Sequence, residues 1–178
     1  NTRPTMKPKK RSKNMKRIIL DTNIYGELIF DKEYTNLKDA IPKKLTVYGF
    51  RVIRDELRDI PKKIKVEGSN FRIAILHIYD EITQDRSFPM TEEMQDLAEL
   101  YFSSYKDFGG VQSRDHIKDD FLIVACASIK GMDIVASEDN KTLLSENAQK
   151  AYKLMNASQK LKTPEFIGYL EFKRWLIG

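Results

Sequence analysis

The stretch from Arg17 to Ile24 constrains the fold of this chain more than any other. Its run Ile18-Ile19-Leu20 is short and wholly apolar, which is typical of a strand buried inside a sheet. The run ends on a carboxylate, Asp21. Open α/β sheets bind ligands beyond the carboxyl ends of their strands, so we expect Asp21 at the mouth of such a crevice. A buried strand has no structural need for an acid at its tip, and Asp21 is therefore a candidate functional residue.

The basic residues of the chain are concentrated at its beginning. The sequence has 178 residues, with 31 Lys and Arg against 26 Asp and Glu, and eight of the basic residues but no acid lie within residues 1–17. The length predicts one domain with a substantial core. We expect residues 1–15 to form a flexible basic tail and residues 16–178 to form the domain. The tail is interpreted as a solvated extension, and an arm that binds nucleic-acid phosphates is the alternative.

The remaining composition indicates a cytoplasmic protein. A single cysteine, Cys126, excludes an intrachain disulfide, and only two histidines accompany it, which argues against a structural zinc site. The longest apolar run, residues 121–127, is much shorter than the roughly 20 residues that span a bilayer. No apolar segment follows the basic N-terminus in the manner of a signal peptide. We therefore expect no membrane contact.

Strand and helix signals alternate along the chain, which predicts an α/β fold with a central, mostly parallel sheet. Helix 121–130 is apolar on nearly every side and must be central, with acids at its start and Gly131 at its end. Residues 61–69 are predicted to be a loop. The other predicted elements are strands at 18–21, 45–48 and 132–137, and helices at 24–30, 50–60, 71–82, 91–102, 141–155 and from Thr163-Pro164 to Trp175.

Several acids occupy positions that a parallel sheet would bring to one edge. Asp21 and Asp139 follow strands, Asp119 and Asp120 open the central helix, and Glu56 lies in the second helical segment within reach of the same crevice. Converging carboxylates repel one another, so their pKa values rise or they require a cation. Oxygen ligands of this kind suit Mg²⁺ or Mn²⁺ better than zinc. Such a metal, which also accepts substrate oxygens, is suited to phosphodiester hydrolysis.

Each acid also has an ordinary structural explanation, and for any one acid considered alone that explanation is favoured. Four acids at matching topological positions favour a shared site instead. The structural alternatives are a turn at Asp21 with Asn23 capping the next helix, an N-cap at Asp119 or Asp120, an Asx turn at Asp139-Asn140, and an ion pair of Glu56 with Arg54 or Arg58.

In this order the segments resemble the PIN domain family. The resemblance extends from about residue 16 to about residue 170 and implies a three-layer α/β/α fold and a Mg²⁺- or Mn²⁺-dependent ribonuclease. It places Asp21, Glu56, Asp120 and Asp139 on the family's acidic positions as catalytic residues and metal ligands. The segments are Ile18-Ile19-Leu20-Asp21-Thr22-Asn23, Asp55-Glu56-Leu57, residues 120–127 and Val135-Ala136-Ser137-Glu138-Asp139. The supporting positions are Asn23, Asp119 and Ser137.

The small size is similar to that of the VapC-like toxins of this family, which usually form dimers and are silenced by an antitoxin. The resemblance thus implies an RNA substrate, an antitoxin partner and a homodimer. A long helical middle, residues 61–115, and the basic tail depart from the compact toxin pattern, which leaves an RNA-processing nuclease open. RNA would reach the acidic domain with help from basic residues in the tail or in the Lys62-Lys63-Lys65 loop.

Two further classes remain as alternatives. The first is a catalytically silent PIN-like module that binds RNA or protein, against which the filled acidic positions argue. The second is a phosphotransfer receiver-like domain, which also has acids at strand ends. That class needs a further acid pair and a strand-end lysine, and neither is found in the expected positions.

Overall fold

A computed structural model of the chain describes residues 15–178. The predicted tail therefore lies outside the described residues, apart from Met15. Five parallel strands form the central sheet in the order β5-β2-β1-β6-β7, and β3 and β4 form a separate small hairpin. The strands are β1 (Lys16–Leu20), β2 (Leu45–Phe50), β3 (Lys65–Val66), β4 (Ser69–Asn70), β5 (Ser87–Phe88), β6 (Ile134–Ala136) and β7 (Glu165–Ile167).

Helices cover the sheet and give the three-layer α/β/α fold that the sequence predicted. Right-handed crossovers between parallel strands place the helices before β5 on one face and those between β5 and β7 on the other. The packing agrees, because α1 contacts α2 and α4 whereas α5 contacts α6 and α7. The helices are α1 (Thr22–Phe30), α2 (Tyr34–Lys44), α3 (Arg51–Arg58), α4 (Phe71–Thr83), α5 (Glu92–Asp107), α6 (Arg114–Ile129), α7 (Glu146–Ser158) and α8 (Tyr169–Ile177). No helix in residues 15–178 is both long and apolar enough to cross a membrane.

The core lies around β1 and α6. Ile18, Ile19 and Leu20 are wholly buried, as the apolar run predicted. Residues 121–128 of α6 are also buried, which confirms that this helix is central. Packing of apolar side chains on both faces of β1 fixes its register, so the position of the residue that follows it is defined as well.

The central helix begins earlier than the sequence predicted, and its N-cap is a serine. Ser113 Oγ accepts a hydrogen bond from the His116 N–H, and the helix starts at Arg114. The prediction that Asp119 and Asp120 open the helix was wrong, since both lie in its second turn. A serine before three polar residues is itself a strong N-terminal signal, and it outweighs the acids further along.

The last part of the chain also differs from prediction. The predicted helix 141–155 starts only at Glu146, because residues 140–144 form turns and Ser145 provides the N-cap. The segment after Thr163-Pro164, predicted to open the last helix, is the strand β7. Pairing with β6 satisfies its backbone groups, and this long-range contact outweighs the local helix signal.

The region predicted as a loop at residues 61–69 contains the β3–β4 hairpin. Its turn has positive φ angles at Glu67 and Gly68. Gly68 adopts this conformation readily because it has no Cβ. Two-residue strands fall below what periodicity can detect, so the sequence indicated only the turn.

A polar contact joins the end of α1 to α8. Tyr169 Oη donates to Asp31 Oδ2 at 2.6 Å, and Lys173 Nζ lies 3.0 Å from the same oxygen. Partial burial alone would raise the pKa of Asp31, but hydrogen bonds from Tyr169, the Glu33 N–H and Lys173 lower it overall. The ionised carboxylate therefore stabilises the docking of α8.

Candidate active site

The candidate site lies where the strand order reverses. The chain leaves β1 for β2 on one side, whereas β6 leads to β7 on the other, so the carboxyl ends of β1 and β6 flank a crevice. Asp21 directly follows β1, and its N–H donates to Ala136 O at 2.9 Å. Ser137 and Asp139 follow β6. The fold therefore brings the acids after both strands to one edge.

Thr22 connects Asp21 to Glu56. Asp21 is buried and caps α1, with its Oδ1 accepting from the Thr22 N–H at 2.7 Å. Thr22 Oγ1 in turn donates to Glu56 Oε2 at 2.5 Å. Glu56 lies in the second turn of α3, which follows β2, so this contact brings a helix from the neighbouring crossover to the tip of β1.

Ser137 and Asn23 connect Asp21 to the segment after β6. Ser137 is fully buried, and its Oγ donates to Asp21 Oδ2 at 2.7 Å and accepts from the Asp139 N–H at 3.1 Å. Asn23 Nδ2 lies 3.4 Å from Asp21 Oδ2, and its Oδ1 accepts from the Glu138 N–H at 3.1 Å. Two of the three predicted supporting residues, Asn23 and Ser137, thus contact Asp21 directly.

Thr142 connects Asp139 to Asp120. Asp139 Oδ1 accepts from the N–H groups of Lys141 at 3.2 Å and Thr142 at 3.0 Å. Thr142 Oγ1 donates to Asp120 Oδ2 at 2.5 Å. Four acids are therefore joined through three hydroxyl residues, an arrangement that we call the carboxylate–hydroxyl chain. Its members are, in order, Glu56, Thr22, Asp21, Ser137, Asp139, Thr142 and Asp120.

Burial and mutual repulsion raise the pKa values of Asp21, Glu56 and Asp120. Desolvation raises the pKa of Asp21, partly offset by the hydrogen bonds from Ser137 and Thr22. Desolvation, followed by the charges of neighbouring acids, raises the pKa of Glu56 to about 7 and that of Asp120 to about 7. The charges of Asp21, Asp139 and Glu56 all contribute to the raised pKa of Asp120, so the four carboxyl groups are electrostatically coupled.

Asp119, predicted as a supporting residue, lies beside Glu56. Its carboxyl group is close enough to contribute to the raised pKa of Glu56. Asp119 itself is exposed at the rim of the site. The next residue along α6, Asp120, points to the other end of the carboxylate–hydroxyl chain, where it meets Thr142. The two adjacent acids therefore contact different parts of the site.

The structure excludes some of the ordinary structural explanations for the acids and supports others. An ion pair does not explain Glu56, because Arg54 pairs with Asp80 and Arg58 approaches Asp55. An N-cap does not explain Asp119 or Asp120, since α6 starts earlier. Asp139 does form the predicted turn. Asp21 caps α1, so the prediction that Asn23 caps this helix was wrong, and these two acids have a local structural role as well.

The donor set suits a hard divalent cation, but the carboxylates are not gathered around one point. Across residues 15–178, no three His, Cys, Asp or Glu side chains form a group that could hold a metal ion as they stand. Threonine hydroxyls occupy one oxygen each of Glu56 and Asp120, and the Asp119 carboxyl group lies within hydrogen-bonding reach of Glu56. These oxygens are the hard ligands that Mg²⁺ and Mn²⁺ prefer. Shared coordination would require side-chain rotations that bring them together.

A shallow groove of about 170 Å³ borders the site on the side of Glu56 and Asp119. Four of its eight described lining residues are acids, and Lys118 is the only cationic side chain among them. Lys118 is exposed. The loop with Lys62, Lys63 and Lys65 contributes no residue to this groove.

Two threonines of the site were not predicted from the sequence. Thr22 stands between Asp21 and Asn23 in the first motif, and its hydroxyl lies next to a helix start where it can reach a neighbouring element. Thr142 follows Asp139 by three residues, a spacing that is typical of a capped turn. Neither signal identifies the carboxylate that the hydroxyl contacts, because Glu56 and Asp120 are distant in sequence.

No protein-family model and no curated protein matches the sequence, whereas several solved structures have a similar fold. A chain of VapBC2 from Rickettsia felis, bound to a DNA fragment from their promoter, is 14% identical with a TM-score of 0.57, covering 85% of this chain and 98% of that chain. A chain of FitAB bound to the IR36 DNA fragment is 17% identical with a TM-score of 0.53, and the match covers 90% of this chain and 97% of that chain. A chain of FitAcB from Neisseria gonorrhoeae is 18% identical with a TM-score of 0.54, and the match covers 86% of this chain and 98% of that chain. At these identities the likeness concerns the fold, and the protein has the PIN-domain fold that its sequence motifs predicted.

Proposed function

We propose that this protein is a Mg²⁺- or Mn²⁺-dependent endoribonuclease. The carboxylate–hydroxyl chain is the observation that supports the proposal most directly, because it brings four acids to the crevice at the reversal of strand order. Such a concentration of carboxylates is costly for folding, and the cap at Asp21 and the turn at Asp139 give no reason for Glu56 and Asp120 to lie beside them. A polyanionic substrate could approach it only if cations neutralised part of its charge.

The residues of the site would divide the work as follows. Asp21, Asp120 and Asp139 would hold one or two divalent ions, which would supply charge neutralisation at the phosphate and an acidified water. Glu56 would serve as a further ligand or as the base that orients water. Its pKa of about 7 suits proton acceptance at neutral pH. Thr22 and Ser137 would hold Glu56 and Asp21 in place.

We further propose that the chain is the toxin of a toxin–antitoxin pair, with an antitoxin as partner and a homodimer as its assembly. The solved structures of similar fold belong to toxin–antitoxin complexes, and two of them are bound to DNA fragments. This chain extends beyond the matched regions, since 85–90% of it is covered against 97–98% of the solved chains.

An RNA cleavage assay tests the catalytic proposal. The full chain is incubated with RNA and Mg²⁺, Mn²⁺ or EDTA, and the same is done with Asp21→Asn and Asp120→Asn. We expect cleavage only with the metals, and a cleavage rate at least about 100-fold lower in both variants. Replacing residues that merely contact metal ligands already lowers activity by up to about 100-fold. The matched control is Asp39→Asn, an exposed carboxylate beside the start of β2 at the opposite end of the sheet, which should cleave normally. Cleavage in EDTA, or full activity of Asp21→Asn, would contradict the proposal.

A catalytically silent RNA-binding module is the second candidate. The separation of the carboxylates favours it, because no three of the described acids are placed to share an ion. RNA binding that persists in EDTA, with no cleavage at any Mn²⁺ concentration, would support this candidate over a nuclease.

The toxin assignment has its own test. Induced expression of the wild type in a bacterial host should arrest growth, as should Asp39→Asn, whereas Asp21→Asn should not. An active nuclease that leaves growth unchanged would instead indicate an RNA-processing enzyme.

A further inference from the structure

Two aromatic side chains stack on each other at one edge of the central sheet. Tyr48 of β2 and Phe88 of the edge strand β5 have ring centroids 5.1 Å apart and an interplanar angle of 3°. Both side chains are half-buried, whereas Leu45 and Val47, which alternate with Tyr48 along β2, are buried on the opposite face. The aromatic pair therefore lies where the sheet meets solvent.

Two cationic side chains from other elements lie over these rings. The Arg17 guanidinium of β1 is 4.8 Å from the centroid of the Tyr48 ring, and Lys130 Nζ, at the end of α6, is 5.4 Å from that of Phe88. Arg17 Nη1 also donates to Lys130 O at 3.1 Å. We call these four side chains the aromatic–cation cluster.

The charge of the cluster is not neutralised by acids. No ion pair within residues 15–178 involves Arg17 or Lys130. Asp133, which accepts from the Arg17 N–H, pairs with Lys162 instead. Residues 1–14 have six Lys and Arg and no acid, so they cannot supply a carboxylate either. The cluster thus combines aromatic surface with positive charge that is available to an anion.

This combination suits a single-stranded nucleic acid. Bases stack on aromatic rings or on guanidinium planes, while Lys and Arg pair with the backbone phosphates. No acceptor within residues 15–178 holds the Lys130 ammonium, so this group can exchange its contact with Phe88 for a phosphate and leave the ring to a base. A duplex cannot use the rings in this way, because its bases are already stacked on one another.

We propose that the aromatic–cation cluster binds single-stranded RNA at a surface separate from the candidate active site. Lys118 borders the acidic groove and Lys130 lies at the other end of α6, so the two are about 18 Å apart along the helix. RNA held at the cluster is therefore anchored away from the bond that is cleaved. The inference rests on the proposed function only in the choice of RNA, since the cluster contains none of the acids.

Fluorescence anisotropy of a short labelled single-stranded RNA, measured in EDTA to prevent cleavage, tests the stacking. We expect Tyr48→Leu and Phe88→Leu, which keep an apolar side chain but lose the ring, each to weaken binding at least about 5-fold. The matched control is Phe30→Leu, which should bind like the wild type. Phe30 is also exposed and stacks on Phe71, but no cation within residues 15–178 lies over either ring.

The salt dependence of the same binding tests the phosphate contact. Lys130→Gln should weaken binding and reduce the slope of log Kd against log salt concentration by about 0.7, the share of one phosphate contact on a single strand. Lys153→Gln, which removes an exposed cation of α7, should leave the slope unchanged. Equal slopes for Lys130→Gln and the wild type would overturn the inference.

Two further outcomes would also overturn it. The first is equally tight binding of a duplex RNA of the same sequence, because charge alone would then explain the affinity. The second is wild-type RNA affinity in Tyr48→Leu and Phe88→Leu. If light scattering then shows that these variants have changed from dimer to monomer, a second copy of the chain covers the surface instead of RNA.

Ultraviolet cross-linking of the wild type to RNA in EDTA, with peptide mapping by mass spectrometry, needs no variant and decides the question if Tyr48→Leu or Phe88→Leu does not fold. We expect cross-links on peptides that contain Tyr48 or Phe88, and cross-links confined to other segments would overturn the inference. The proposed function fails separately, if RNA binds at the cluster but is not cleaved with Mg²⁺ or Mn²⁺.

Discussion

Neutralising Asp120 should stabilise the metal-free protein at neutral and alkaline pH. Desolvation, together with the charges of Asp21, Asp139 and Glu56, raises the pKa of Asp120 from 3.8 to about 7. At about 1.4 kcal/mol for each tenfold change in proton affinity, the ionised form costs the folded state roughly 4 kcal/mol at most. Asp120 is only partly buried and shares its repulsion with its neighbours, so we expect Asp120→Asn to gain about 1–3 kcal/mol at pH 8.

The gain should depend on pH in a defined direction. Between the unfolded pKa near 4 and the folded pKa of about 7, folded Asp120 binds more protons than the unfolded chain does. The stability of the wild type therefore falls as pH rises through this window, and the penalty is complete above it. The amide introduced by Asp120→Asn does not titrate but can still accept from Thr142 Oγ1, so the advantage of the variant should disappear near pH 4.

Urea unfolding in EDTA at pH 4, 6 and 8 measures this difference. For a chain of this length, a gain of 1–3 kcal/mol corresponds to an increase in Tm of roughly 2–12 °C. Asp39→Asn, at the opposite end of the sheet, should show no such pH-dependent gain. A variant that is no more stable than the wild type at pH 8, or equally more stable at pH 4 and 8, would refute the assignment of the raised pKa. Mn²⁺ should also raise the Tm of the wild type more than that of Asp120→Asn.

Three further changes test other parts of the structure. Lys118→Ala should raise the KM for RNA several-fold with little change in kcat, because this exposed cation borders the acidic groove; Lys153→Ala on α7 is the control, and equal effects of the two would contradict a local role. Asp31→Asn should lower the free energy of unfolding, measured in urea, by about 1–2 kcal/mol at pH 7. Because the pKa of Asp31 is lowered, it is the ionised carboxylate that stabilises the fold, so the loss should shrink as pH falls below about 4. A loss that is independent of pH would refute this. Tyr101→Phe removes a buried hydroxyl that contacts Ser128 and Asn156, and it should lower the free energy of unfolding by about 1–3 kcal/mol without changing Mn²⁺ affinity.

Local signals predicted the regular elements well where they were strong. The buried run before Asp21, the apolar helix around residues 121–128 and the N-cap at Thr91 all appear in the structure as predicted. The failures share a cause. Strand β7 and the late start of α7 depend on pairing with β6 and on turns, and these interactions are absent from the local sequence.

The sequence by itself determined that Asp21 lies at the tip of a buried strand, because few other structures are compatible with a short apolar run that ends on an acid. It also indicated Glu56, Asp120 and Asp139 as its companions through the order of the motifs. Only the tertiary structure decided how these acids are connected. Thr22, Ser137 and Thr142 join them through hydrogen bonds between separate elements, and such contacts depend on strand order and crossover geometry rather than on spacing along the chain. The same hydrogen bonds keep the four acids at one edge of the sheet against their mutual repulsion. The sequence alone could not show that, among residues 15–178, no three acids form a group that could hold a metal ion as they stand.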